Sequence, residues 1–474
     1  MAISAEQSIL NILKVYYKDG VENLLFRNSP AVRQVNKTRV EGKEQRFAAM
    51  YGRGGAVASK FTVALNKAAN NSKNAEFIVT PGQLFSVFTY NAKEVQASKS
   101  KKGAYMKVAG NKAFAAAEAL RKTLAAAFYG RGFGEVGVLD STAATAIAAG
   151  TAGTDVEVEL TRDIITKIAV DSDLVLKTSV SSGTENGLFT VKKINGTKVT
   201  LTVGTAYASA AAGDVICLRG SMDASGNPNM PMGLDGWLPI VNARVNGASD
   251  TNWDDYIETP FYNVNRSLDV ESLAGSFIYD TNNTKKVDDI QQLLQVVRDH
   301  GSMADFLVMN SKDWLDVANE IQSTNTYFTQ TSTKAKRMAN VGLSEVSASF
   351  STNDIQTIID DPYCPKGKFY ILEKDDVELW AYTNSEVAQE DGIAGNEPGT
   401  QDPLTYNDKG EEDSAFKLLI DDFISVVPGT PTDDGEAVRV TYNLFGSFVL
   451  MNPAHAGVGI FHDYTASDVV GYAK

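Results

Sequence analysis

One stretch constrains this chain more than any other: residues 103–134, GAYMKVAGNKAFAAAEALRKTLAAAFYGRGFG. From Ala104 to Tyr129 it reads as a single long helix, rich in Ala with Leu, Lys, Arg and Glu, residues that lose little entropy on becoming helical. Met106, Ala113, Ala117, Leu120, Leu124 and Phe128 recur at spacings of three, four or seven and draw one apolar stripe. At about 1.5 Å per residue the helix would run roughly 40 Å. The helix is rich in Ala, so a partner surface can approach closely. Gly110 is the weak point inside it, and Gly130, Gly132 and Gly134 end it. The stretch is read as a structural spine, with Leu120, Leu124 and Phe128 as its core residues.

Charge is distributed unevenly around this spine. The chain carries a net −14, yet residues 1–130 sum to +12 and the remainder to −26. A basic first quarter and an acidic rest suit copies that attract one another in a fixed orientation, or a basic end that meets nucleic acid. The bland alternative is that both sets of charges keep surfaces wet. No apolar run approaches the roughly 18 residues needed to cross a bilayer. The N-terminus lacks the pattern of a signal peptide. Cys217 and Cys364 lie far apart, so neither a disulfide framework nor a Cys-rich zinc site is expected, and a reducing cytoplasm is.

Taken in order, Ser4–Tyr17 reads as an amphipathic helix and Val21–Phe26 as a further helical turn before Ser29-Pro30. A basic arm follows, with Arg33, Lys37, Arg39, Lys43 and Arg46. It is expected to bury too little to order itself without a neighbour. Residues 46–95 read as a long two-stranded excursion, one strand near Phe47–Tyr51 and the other spanning Phe77–Tyr90 with a bend at Pro81-Gly82. Between them lies a small-residue and polar stretch that carries Arg53, Lys60 and Lys67. A lone hairpin is marginal in water, so a long polar one makes sense lying across another subunit. After the spine, Ser141–Thr154 has the look of a linker. From Asp155 to Arg219 the pattern changes to period two, with Asn195-Gly196 as the strongest hairpin signal, and a small inserted barrel or sandwich is expected.

Beyond Gly236 the chain becomes mixed α/β. Lys286–His300 reads as a helix ended by Gly301, Phe306–Met309 as a buried strand, and Ser311 as the cap of a helix over Lys312–Ile321. Asp354–Asp422 carries 18 acidic residues against 5 basic ones and is read as a solvated rim that includes the strands KFYILE and VELWAY. Val438–Leu450 is a long terminal strand stopped by Asn452-Pro453.

No reactive constellation emerges. Gly132-x-Gly134-x-x-Gly137 fits a dinucleotide fingerprint on paper, but it closes a helix where the fingerprint must open one. His300, His455 and His462 are few and scattered; His300 at a helix C-terminus suits the dipole. Asp280-x-Asn282-x-Thr284 begins like a calcium loop, yet Lys285 replaces the turn Gly and Gln291 the bidentate Glu. Asp360-Asp361 and Asp375-Asp376 read as solvated acidic pairs. The basic arm fits incidental contact with DNA phosphates, without a motif for sequence readout. No catalytic, cofactor or metal residue is assigned, and the chain is not expected to be an enzyme.

The order of parts carries more information than any motif. An N-terminal helix and basic arm, a long hairpin, an Ala-rich helix closed by YGRGFGEVG, an α/β domain and a last long strand together resemble the major capsid protein of tailed bacteriophages, whose fold encapsulins share. LRKTLAAAFYGRGFGEVG looks like the end of that family's spine helix. LFTVKKINGTKVTLTV, AAGDVICLRG and PMGLDGWLPIV look like an inserted β module and the return from it. ADFLVMNSKDWLDVANEI and IQTIIDDPYCPKGKFYILEKDDVELW look like axial-domain elements, and FGSFVLMNPAHAGV like the closing strand.

The resemblance implies an α+β capsid fold: an arm over 1–45, an extended hairpin loop over 46–95, a peripheral domain with the spine over 96–140, an inserted β domain over 155–220, an axial domain over 221–437 and a closing segment over 438–474. It further implies self-assembly as pentamers and hexamers into an icosahedral head around double-stranded DNA. Implied partners are a scaffold protein, a portal protein and auxiliary decoration proteins, with no membrane; the location is the virion, after assembly in the bacterial cytoplasm. Arg33, Lys37, Arg39, Lys43, Arg46, Arg53, Lys60 and Lys67 are then the inter-subunit contact candidates. The alternatives are an encapsulin-like compartment and an enzyme or sugar-binding protein with an accessory β domain.

Overall fold

The computed structural model describes residues 29–40, 44–52, 58–67, 73–91, 119–178, 184–223, 226–240, 260–280, 282–324, 357–382, 424–427 and 437–464, with Gly42 and Ala116 besides. Two five-stranded sheets share one core, a six-stranded sheet stands beside them, and a two-stranded ribbon leans on the core. The architecture is mixed α+β.

The first sheet is organised by β17 (Ala437–Leu450), the long late strand. On one edge it pairs antiparallel with β4 (Gly82–Asn91). Its other edge takes β16 (Ile424–Val427) and then β15 (Val377–Ala381), so that Gly446 is paired with Gly82 and with Ala381 at once. β1 (Asn36–Arg39) adds to β15 in parallel.

The second sheet runs β11 (Ser276–Ile278), β18 (Gly457–Ile460), β14 (Lys368–Leu372), β12 (Phe306–Met309) and β13 (Thr357–Asp360). Tyr370 and Leu372 of β14 face the shared core, while Phe369 and Ile371 face a second cluster. Helix α8 (Lys286–Asp299) supplies Ile290, Leu293, Leu294 and Val297 to that cluster, the apolar row its sequence period predicts. Gly301, at φ +88°, follows its C-cap His300. α9 (Ser311–Thr324) is tied to α8 by Lys286, whose ammonium meets Asp313 at 2.8 Å, Asp316 at 3.2 Å and Asp463 at 3.3 Å.

Several sequence expectations are corrected. The basic arm was expected to stay unordered without a neighbour, but Pro30–Gln34 is a short helix (α1) and β1 completes a sheet edge of the same chain. Ala31, Val32, Val35 and Val40 are buried in the shared core, and apolar burial of that kind orders the segment whatever its cations do. The single strand expected over Phe77–Tyr90 is two: β3 (Lys73–Val79) pairs with β2 (Gln45–Gly52), whereas β4 pairs with β17. KFYILE and VELWAY do not form one rim, since β14 is an inner strand of the second sheet and β15 belongs to the first.

Ser141–Ala148 is not a linker. It is a helix (α4) whose N-cap Asp140 accepts from the Ala143 amide and whose Ala143, Ala144 and Ile147 are buried. The β module accordingly starts earlier than expected, at β5 (Glu135–Val138). β6 (Asp155–Glu159), β7 (Asp173–Lys177), β8 (Asn186–Asn195), β9 (Lys198–Thr205) and β10 (Val215–Leu218) complete one sheet in the order β5-β10-β7-β8-β9-β6. Among the described residues β5 and β6 are its two edges, an open sheet where a barrel or sandwich was expected. Helix α4 and a helix over Arg162–Lys167 (α5) cover it around Val191, Val199, Leu201 and Ile216.

Of the spine, residues 119–127 are helical (α3), with a turn at 128–130. Leu120, Leu124 and Phe128 are buried in the shared core. Residues 104–115 and 117–118 of the expected spine, the expected helices Ser4–Tyr17 and Val21–Phe26, and residues 354–356 and 383–422 of the acidic stretch lie outside the described residues.

Candidate assembly interface

The ribbon of β2 and β3 alternates. Ala75, Phe77 and Val79 of β3 are buried, and Phe47, Ala49 and Tyr51 of β2 pack on the same core, which leaves Arg46, Ala48, Met50 and Glu76 on the outer face. Phe47 and Phe77, directly opposite in register, stack with centroids 5.1 Å apart. Trp237 contacts both rings at 6.0 and 5.4 Å, and Trp380 meets Phe47 edge-on at 5.7 Å. The Trp237 indole N–H donates to the Phe448 carbonyl over 2.8 Å, so the ring that receives the ribbon is itself anchored to β17. Four aromatics on three separated segments lock the root of the ribbon to the body.

The far end of the ribbon is different. Phe61–Lys67 is a two-turn helix (α2), started by Val63 and Ala64 amides donating to the Lys60 carbonyl. Phe61 is 78% exposed, Leu65 59% and Val63 42%, and Met50 on β2 is 65% exposed. Large apolar side chains so bare on a short outlying helix gain nothing from the fold that carries them. By composition alone the stretch reads as a polar excursion. The apolar set Phe61, Val63, Leu65 was legible in the sequence, but the surrounding Asn, Ser and Lys masked it.

Among the described residues, the cations singled out from the sequence lie on different elements. Arg33 lies in α1, Lys37 is exposed and Arg39 half-buried on β1, Lys60 precedes α2 and Lys67 is its last residue. Arg46 is ion-paired within its own ribbon, to Glu44 and to Glu76. Lys43 and Arg53 lie outside the described residues.

Two buried polar clusters hold the body that presents this ribbon. Ser29 and Tyr129 hydroxyls each donate to Asp361 Oδ2 over 3.0 Å, and the Tyr363 amide donates to Oδ1 over 2.9 Å. Asp361 is fully buried, which corrects its reading as part of a solvated pair; burial raises its pKa and the three donors oppose that rise. Asp235, in the turn helix Leu234–Trp237, accepts from Lys368 Nζ at 2.8 Å and from the Tyr370 hydroxyl at 2.6 Å. Burial lowers the Lys368 pKa to about 8 against the pull of Asp235. Nothing in the sequence signalled either cluster, because the partners are more than a hundred residues apart along the chain.

The dinucleotide-like glycines follow α3 and lead into β5, the reverse of the order a phosphate cradle requires. His300 caps α8 and pairs with Glu271 at 3.2 Å, and His462 Nδ1 lies 2.8 Å from Asp289. No described helix is long and apolar enough to cross a membrane.

No protein-family model matches the chain, and no curated protein matches it either. The chain is similar to several solved structures. They include a cyanophage A-1(L) capsid asymmetric unit, at 11% identity over 91% of this chain and 92% of that one with a TM-score of 0.47. The holo-SrpI encapsulin complex from Synechococcus elongatus matches at 9% identity over 92% and 90% with a TM-score of 0.39. Mycobacterium phage Bobi matches at 10% identity over 91% and 90% with a TM-score of 0.37.

Proposed function

We propose that this chain is the repeating subunit of a closed protein shell, the major capsid protein of a tailed double-stranded DNA bacteriophage. It assembles as pentamers and hexamers into an icosahedral head in the host cytoplasm and ends in the virion. The observation that carries this reading is α2: an apolar helix, bare on its own chain, between the two strands of a ribbon whose root is fixed by Phe47, Phe77, Trp237 and Trp380. Such a tip has somewhere to go only if another molecule supplies the missing surface.

The uneven charge, +12 before residue 130 and −26 after it, supports the same reading, since a basic leading segment attracts the acidic part of the next copy and orients the encounter. The order of sequence elements resembles that of phage capsid proteins and supports the phage assignment. A separate scaffold protein, a portal, auxiliary decoration proteins and the phosphates of packaged DNA are the partners that assignment brings with it. Arg33, Lys37, Arg39, Lys43, Arg46, Arg53, Lys60 and Lys67 are proposed at the contacts between copies, with Phe61, Val63 and Leu65 added to them.

Deleting residues 59–73 and closing the ribbon with a short turn tests the proposal. A folded, soluble subunit that no longer forms shells under electron microscopy is the expected result. Normal shells from the deleted chain would overturn it.

A further inference from the structure

The chain passes between the two five-stranded sheets at two crossovers that touch each other. One is the 3-10 turn Lys374–Asp376 between β14 and β15; the other is the 3-10 turn Pro453–His455 between β17 and β18. Glu373 precedes the first turn and Asp376 closes it, and both direct a carboxylate at the His455 ring on the second. Nδ1 of His455 lies 3.2 Å from Glu373 Oε2 and 3.3 Å from Asp376 Oδ2, and the three atoms fall within 4.8 Å of one another.

Both of those carboxylate oxygens are shielded from solvent, and neither meets a donor in hydrogen-bond geometry. Two carboxylates therefore share one ring nitrogen, which can donate to at most one of them at a time. That arrangement is costly unless a cation completes it. Around a tetrahedral ion with bonds of about 2.0–2.1 Å, ligand atoms stand roughly 3.3 Å apart, the separation of Nδ1 from each carboxylate oxygen.

We infer that Glu373, Asp376 and His455 form a site for a divalent transition-metal ion of the zinc type, one that pins the two inter-sheet crossovers together. His455 gives Nδ1 as a neutral ring, each carboxylate gives one oxygen, and the side chains, about a quarter exposed, leave one position open to water. The backbone already holds the turns in place. The Met451 amide donates to the Asp376 carbonyl over 2.9 Å, the Lys374 amide to Asp305 Oδ1 over 3.0 Å, and Ser302 Oγ to the His455 carbonyl over 2.9 Å. Mixed nitrogen and oxygen donors favour Zn²⁺ over Mg²⁺, which prefers an all-oxygen shell. This site is independent of the assembly proposal.

The test uses the full-length chain after treatment with a chelator. Zn²⁺ is titrated in competition with a chromophoric chelator, and thermal unfolding is followed with Zn²⁺ and with Mg²⁺. One Zn²⁺ bound per chain and an unfolding midpoint raised by Zn²⁺ but not by Mg²⁺ are expected. His455→Ala should weaken binding by roughly tenfold or more, and His300→Ala should leave it unchanged. Asp376→Asn, which keeps the shape of the side chain, serves as the second variant if His455→Ala fails to fold. No Zn²⁺ bound, or binding equal in wild type and both site variants, would overturn the inference. A midpoint that Zn²⁺ does not move would do the same.

Discussion

The phenol of Tyr129 donates to Asp361 Oδ2 across 3.0 Å, and the Ser29 hydroxyl reaches the same oxygen at the same distance. One carboxylate thereby joins the turn after α3, the residue before α1 and the turn after β13, in a region closed to water. Replacing it strands several donors at once. Asp361→Ala should cost roughly 3–5 kcal/mol, from two unsatisfied buried hydroxyls and backbone amides left without their acceptor. Asp361→Asn keeps an acceptor for the hydroxyls but turns its NH₂ toward the Tyr363 amide, so its cost should fall between. Urea unfolding followed by circular dichroism checks the order; an Ala variant as stable as wild type would show that the cluster contributes nothing.

A second prediction concerns the crossing of strands at Gly446. A Cβ there would sit 2.7 Å from the Ala381 Cβ and 2.7 Å from the Trp380 carbonyl oxygen. At Gly82, its partner on β4, a Cβ would lie 2.4 Å from backbone atoms of Met230 and Pro231. The closer approach, and to three backbone atoms at once, is at Gly82. Gly446→Ala should therefore lose about 1–3 kcal/mol, and Gly82→Ala should lose more. Unfolding midpoints of the two variants, measured side by side, decide it, and the reverse order would contradict the packing described above.

The ribbon separates folding from association. Phe77→Ala removes a fully buried ring from the root and should cost about 3–5 kcal/mol of subunit stability. Phe61→Ser with Leu65→Ser alters only bare side chains at the tip, so subunit stability should change by less than about 0.5 kcal/mol. The tip variant should instead raise the concentration needed for assembly, read by light scattering. Unaltered scattering from a folded tip variant would remove α2 from the interface.

The Lys368 ammonium makes stability depend on pH in a defined direction. Its folded pKa, about 8, lies below the ordinary 10.5 because burial disfavours the charged form. Between those values the unfolded chain holds the proton more tightly, so this group's contribution to stability rises as pH increases from about 8 to 10.5. A Lys368→Met/Asp235→Asn double variant lacks that slope while sharing every other titration. The difference in urea midpoint, wild type minus variant, should become more favourable to wild type across this range; a flat difference would refute it.

What was legible along the chain is local. α8, β12, α9 and β17 stand within a few residues of where period and capping residues place them, because a helix or strand announces itself in its own window: Ile290, Leu293, Leu294 and Val297 on one face, Gly301 at the stop. The burial of Leu120, Leu124 and Phe128 has the same origin. Local reading failed where composition distracted from pattern. Small residues hid helix α4, cations hid the apolar set Ala31, Val32, Val35 and Val40, and polar neighbours hid α2.

Only the tertiary structure decided which sheet each strand joins, that β3 and β4 part company after Val79, and that Asp361, Asp235 and His455 find their partners. The physical reason is separation. A strand's hydrogen-bonding edge is indifferent to sequence, so β14 and β15, four residues apart, can enter different sheets according to what buries them. Contacts such as Ser29 with Asp361 or Trp237 with Phe448 span hundreds of residues. Each exists because the shared core closes around it, and no stretch of the chain read alone contains both ends.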